Sequence, residues 1–156
     1  MPSLSKNINI ISRCAHSYRS DALCGTSLSA CHYFYIFHIC NSPGVSQDSL
    51  AKALYINKSS VARALVTLED DGYIIRKQDI EDKRKILVYP TDKAKEILPF
   101  VREVANTWNE FLLSCLDDGE RTAMLSIIEK ITRKAQSYID ENLNAEDIRT
   151  RNEATD

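Results

Sequence analysis

Apolar residues recur at three- and four-residue intervals along most of this chain and give way to a strand-like pattern in one short stretch. Ile8, Ile11, Ala15, Tyr18 and Ala22 predict an amphipathic helix from Lys6 to about Leu23, stopped by Gly25. The segment Ser27 to Cys40 is apolar nearly all round and reads as a buried helix; Asn41-Ser42-Pro43-Gly44 then breaks the chain. Ser46 can cap a short helix carrying Leu50, Ala51 and Leu54, and Asn57 a second one carrying Val61, Leu65 and Leu68 as far as Gly72. Tyr73-Ile74-Ile75 and Ile86-Leu87-Val88-Tyr89 have the content of strands, and the charged segment between them must turn in water. Thr91 can start a long helix from Ala94 to Cys115, with a kink expected at Pro99. Asp117 to Glu120 resembles a further helix start, and Met124, Ile127, Ile128, Ile131, Ala135 and Ile139 continue that helix until the chain turns polar and frays beyond about Leu143.

Two short helices followed by a hairpin form a helix-turn-helix with a wing, so the fold class is mainly α with a small β-wing, flanked by N- and C-terminal helices. The corresponding division is 1–40 for the N-terminal dimerisation and scaffold helices, 41–91 for the winged region, 92–142 for the C-terminal dimerisation helices and 143–156 for a polar tail, all in one compact domain. Dimerisation is expected because the flanking helices carry apolar stripes that one small winged unit cannot cover. In such a unit the second helix offers its N-terminal face to a major groove. The residues there that are not used by the core stripe are Lys58, Ser59, Ser60 and Arg63.

Charge refines this picture by its distribution. The net charge of −2 excludes a generally basic chain, yet residues 46–93 hold nine Lys/Arg against eight Asp/Glu while residues 94–156 hold eight against thirteen. The five cysteines are odd in number, include no CxxC pair and follow no signal peptide, which predicts reduced thiols in the cytoplasm. The most apolar run, Cys31 to Cys40, is too short to cross a membrane and is interrupted by His32 and His38.

The wing also carries a specific pattern. Asp82-Lys83-Arg84, the strand Ile86 to Tyr89 and then Thr91, together with Leu68-Glu69-x-x-Gly72-Tyr73-Ile74, resemble the MarR family of transcriptional regulators over roughly residues 6–140. The resemblance implies a homodimer on a palindromic operator in double-stranded DNA, usually acting as a repressor. It implies DNA contacts from Gln47, Asn57, Lys58, Ser59, Ser60 and Arg63, and from the wing residues Asp82, Lys83 and Arg84, with Arg84 entering the minor groove. Where many relatives have Arg this chain has Glu81, and it has Pro90 and Ala94 where they have Leu and Gly. The lower charge at the tip predicts a wing that positions more by Arg84 than by a basic tip.

The resemblance also implies a small aromatic effector, for which Tyr18, Tyr33, Phe37 and Trp108 are candidate pocket residues, although aromatic stripes are more often core. An alternative regulator of the same fold would sense oxidants through Cys14 or Cys24, but free cysteines are commonly buried and inert. The Cys24, Cys31, His32, His38 and Cys40 spacings match no zinc pattern, and no metal or cofactor is expected. No nucleophile–base–orienter set or phosphate-binding glycine loop is visible, so the chain does not read as an enzyme. A winged helix used only for protein association is the remaining alternative, and a duplex-binding assay across salt discriminates it.

Overall fold

The computed structural model describes the backbone of residues 3–153 and the side chains of residues 3–141. The chain falls into two compact units, Met1–Glu110 and Phe111–Asp156. The first unit opens with α1 (Leu4–Ala22), followed by α2 (Tyr33–Asn41), β1 (Val45–Ser46), α3 (Gln47–Leu54), α4 (Lys58–Asp70), β2 (Ile74–Gln78) and β3 (Ile86–Pro90). Then come α5 (Asp92–Leu113) and, in the second unit, α6 (Asp118–Glu153). The three strands form one antiparallel sheet in the order β1-β3-β2.

The helix boundaries follow the capping chemistry. Ser3 Oγ accepts from Lys6 N, Ser46 Oγ from Ser49 N at 3.0 Å, and Asn57 Oδ1 from Ser60 N at 2.8 Å, so α1, α3 and α4 each start with a donor satisfied by a side chain, as α2 does not. At the other end of α4, Gly72 has φ +76°, and Tyr73 N reaches back to the Leu68 carbonyl at 2.8 Å. That left-handed residue lets the chain reverse from helix into strand. Asp117 and Glu120 form a reciprocal capping box before α6, each accepting from the other's backbone N–H.

Three expectations change. The segment from Ser27 to His32 is not helical: Thr26 Oγ1 donates to the Leu23 carbonyl at 2.8 Å and accepts from Leu28 N at 3.1 Å, and His32 N bonds back to Ser29 O. These local bonds compete with a helical ladder and delay α2 to Tyr33. The strand β2 runs on through Arg76, Lys77 and Gln78, three polar residues held in register by pairing with Val88, Leu87 and Ile86. The polar end of α6 stays helical to Glu153 instead of fraying near 143, where Ala145, Glu146, Arg149 and Arg151 are all good helix formers. Pro99 sits inside α5, which remains continuous from Asp92 to Leu113 although the proline supplies no N–H to the Lys95 carbonyl.

One core holds the winged unit. Ile36 and Ile39 of α2, Leu50 of α3, Val61, Leu65 and Leu68 of α4, Ile74 and Val88 of the sheet, and Val101 of α5 are essentially without exposure. Fully burying each such side chain contributes about 1.5–3 kcal/mol, which makes α4 the helix that the others grip. Register fixes the wing: Ile75 pairs with Tyr89, Lys77 with Leu87 and Gln78 with Ile86, while Val45 pairs with Val88 on the other side of β3. Thr91 closes the hairpin onto α5, its hydroxyl bonding the Gly72 carbonyl at 2.7 Å and accepting from Ala94 N at 3.3 Å.

Candidate nucleic-acid interface

The buried stripe of α4 turns Lys58, Ser59 and Arg63 outward, with Ser60 half-buried between them. Their polar atoms are already engaged. Asn57 Oδ1 caps Ser60 N and also accepts from Ser59 Oγ at 2.9 Å, while Arg63 Nη2 donates to Ser60 Oγ at 3.1 Å. Lys58 Nζ pairs with Asp48 Oδ2 at 2.9 Å, tying the start of α4 to the first turn of α3. Both partners are well exposed, so this pair is worth little in stability and can open for a ligand.

The wing loop is held differently, through its backbone. Asp79 N donates to the Lys85 carbonyl at 3.0 Å and Lys85 N to the Asp82 carbonyl at 2.8 Å. Asp79 Oδ1 accepts from Glu81 N at 2.9 Å, Asp82 Oδ1 from Arg84 N at 3.1 Å, and Gln78 Nε2 donates to the Lys83 carbonyl at 2.6 Å. Two carboxylates thus brace the loop, and Asp82 also faces Lys85 at 3.6 Å. Among the described residues, the Arg84 guanidinium and the Lys83 ammonium have no hydrogen-bond or ion-pair partner, and both are exposed.

These two surfaces meet at the start of α3. Gln47, Asp48 and Ser46 line a notch of about 70 Å³ together with Arg84, Lys85 and Ile86. Asp48 therefore belongs both to the Lys58 pair and to the notch beside Arg84. Lys58 is thus paired to an acidic residue that sequence reading did not single out, and that residue shares a notch with Gln47 and Arg84.

A second residue missed by that reading sets the wing against α4. Glu69 accepts from Arg76 N at 2.9 Å, Arg76 Nε at 2.8 Å and Arg76 Nη2 at 2.5 Å. The bidentate guanidinium and the backbone N–H together hold the Glu69 carboxyl below its ordinary range. The pair is only partly buried and clamps the first half of β2 to the end of α4. The signal was present in the Leu68-Glu69-x-x-Gly72 run, but nothing in spacing named Arg76 as the partner.

The aromatic candidates form two separate groups. Tyr18 stacks on Trp108 with ring centroids 5.2 Å apart, whereas Tyr33 packs edge-on to Phe34 and to Phe37, at 6.0 Å for the latter, and carries the Arg19 guanidinium 4.7 Å above its ring. A cavity of about 680 Å³ opens between α1 and the turn before α2; Arg13, His16, Arg19, Ala30, Cys31 and Phe34 are among its lining residues. None of Tyr18, Tyr33, Phe37 and Trp108 lines it, but Arg19 joins it to the Tyr33 ring, and Arg19 Nε is buried there without a hydrogen-bond partner. Cys14 and Cys24 are exposed rather than buried, because they fall on the outer face of α1 and in the open turn after it. Cys40 is half-buried, and burial pushes its thiol up, away from reactivity. Among the described residues no group of three or more His, Cys, Asp or Glu side chains converges as a metal site would need, and no helix is long and apolar enough to cross a membrane.

A capped helix-turn-helix, a hairpin braced at its tip and a polar surface shared between them define a winged helix-turn-helix protein. Residues 28–86 match the MarR family model. The uncharacterized HTH-type transcriptional regulator YybA of Bacillus subtilis (strain 168) is 24% identical over 136 residues, covering 87% of this chain and 91% of its own. A MarR transcriptional regulator from Methanosarcina mazei Go1 superposes with a TM-score of 0.82 at 27% identity, covering 86% of this chain and 97% of that one. A putative MarR-family transcriptional regulator from Listeria monocytogenes, crystallised with a 26mer DNA, has the same fold, with a TM-score of 0.81 at 24% identity over 88% of this chain and 91% of that one. The winged region is thus similar in sequence and in fold to that of MarR-family transcriptional regulators.

Proposed function

We propose that this regulator binds a palindromic operator as a homodimer, with α4 in the major groove and the wing in the adjacent minor groove, and that it acts as a repressor released by a small aromatic effector. The observation that carries the reading is the notch that Gln47 and Asp48 line together with Arg84, Asp48 being paired also with Lys58, which brings the start of α3, the start of α4 and the wing to one polar surface. Arg63, with Ser59 and Ser60, supplies hydrogen bonds to base edges and phosphates; Asn57 sets the helix start; Lys58 and Lys83 meet phosphates. Arg84 enters the minor groove and Asp82 holds its backbone in position.

Association as a dimer is supported by apolar surface left open in each unit. On α1, Leu4, Ile8 and Ile11 are 54%, 41% and 48% exposed at helical spacing, and on α6 the run Met124, Leu125, Ile127 and Ile128 is exposed likewise. A two-fold helical interface covers such stripes and sets the distance between two recognition helices. For the effector, Arg19 with its buried Nε and the Tyr33 ring beneath it favour an aromatic molecule bearing an acceptor. The test is a fluorescence-anisotropy titration of the protein on the palindrome upstream of its own or neighbouring gene and on a shuffled duplex. Operator binding about 10³-fold tighter or more is expected; equal or absent binding on both duplexes contradicts the reading and favours a protein-association module.

A further inference from the structure

Ile80, in the loop between β2 and β3, is 94% exposed, well beyond the next large apolar side chain, Phe111, at 69%. Single exposed apolar residues are ordinary, but this one stands on a braced platform. The backbone on either side of it is fixed by the bonds of Asp79 N to Lys85 O and of Glu81 N to Asp79 Oδ1. A β-branched side chain has few rotamers, so Ile80 projects as a preformed apolar knob.

Its surroundings give little electrostatic hold on DNA. Asp79, Glu81 and Asp82 balance Lys83, Arg84 and Lys85, and Lys85 already faces Asp82 at 3.6 Å. A tip without net charge is weakly drawn to phosphates as a whole, so apolar contact can add to what Lys83 and Arg84 supply singly.

We propose that Ile80 is the apolar anchor of the wing, packing on the deoxyribose wall of the minor groove that Arg84 enters. It rests on the two-groove reading above. The walls of the minor groove are formed by the C–H edges of the sugars, and minor-groove proteins combine apolar side chains with cations, although there the apolar groups commonly wedge between base steps. DNA is the occupant because the same braced loop carries the unpartnered Arg84 guanidinium. Ile80 thereby supplies affinity that a charge-neutral tip lacks.

The experiment titrates wild type, Ile80→Ala, Ile80→Val and Arg84→Ala on the operator at several salt concentrations, with hydroxyl-radical footprinting of each complex. Ile80→Ala should weaken binding about tenfold at every salt while leaving the slope of log K against log salt unchanged, and Ile80→Val should stay within about twofold of wild type. Arg84→Ala should make the slope shallower by about one. Protection of the sugars at the outer edge of each half-site should fade in Ile80→Ala. Wild-type affinity and protection in Ile80→Ala overturn the anchor alone. A wild type that binds no duplex overturns the two-groove reading, and the anchor with it.

Discussion

The start of α4 and the tip of the wing are two ends of one surface, and they are prepared for a ligand in opposite ways. At the helix start the side chains bond one another: Ser59 to Asn57, Arg63 to Ser60 and Lys58 to Asp48. At the wing the carboxylates of Asp79 and Asp82 hold the backbone, and Lys83, Arg84 and Ile80 stand free of side-chain partners among the described residues. A group that must first leave an internal partner gains only the difference between two hydrogen bonds. A group held without an internal partner gives up only its bonds to water. On the proposed reading the wing is the part that contributes affinity, and the helix the part that discriminates, because exchanging partners rewards only a matching base edge.

The largest effect that could break this contrast is expected at Arg84. Arg84→Ala should weaken operator binding by about 1–3 kcal/mol, roughly 5–150-fold, and should weaken random duplex almost as much, as anisotropy titrations on both would show. Next comes Arg63→Ala, expected to cost the operator about tenfold and random duplex little. Equal losses on the two duplexes would make Arg63 a phosphate contact and dissolve the division between helix and wing.

A smaller effect should follow at the clamp between them. Glu69→Gln removes the charge that draws Arg76 to the end of α4, and should weaken operator binding about threefold by loosening the wing, with the Arg84→Ala penalty reduced in the double variant. The same clamp has a pH signature. Because Arg76 holds the Glu69 carboxyl below its ordinary range, its stabilisation is complete above that range and is lost as pH falls through the lowered value. Thermal melts from neutral to acidic pH should show a drop for wild type that is smaller in Glu69→Gln. The smallest effect is structural: Asn57→Ala removes a cap worth about 1 kcal/mol, read as a lower urea midpoint, and frees Ser59.

What could be read in advance was what local chemistry dictates. Val61, Leu65 and Leu68 marked the buried face of α4, and Asn57, Ser46, Gly72 and Asp117 marked boundaries, because capping and left-handed backbone depend on residues a few positions apart. What escaped depends on contacts between distant residues. The two-residue β1 is too short to show a period, and it exists only because Val45 pairs with Val88. The turn from Ser27 to His32 looked helical by its apolar content, but the Thr26 hydroxyl offered its backbone other partners. At the candidate interface, the outward residues of α4 and the Asp82-Lys83-Arg84 pattern were legible, whereas Asp48 and the Glu69–Arg76 clamp required the fold. The aromatic residues were seen as one set and lie as two, since helical spacing says which residues share a face and not which faces meet.

The central claim is that two grooves are read by two elements, and base-analogue interference on the operator tests it most directly. 7-Deazapurines alter only major-groove edges, and 2,6-diaminopurine in place of adenine adds an amino group only to the minor groove. The account predicts 7-deazapurine sensitivity confined to the inner half-site positions and diaminopurine sensitivity confined to the flanks, with Arg84→Ala abolishing the second and sparing the first. Sensitivity to only one kind of analogue, or both kinds at the same positions, would contradict it.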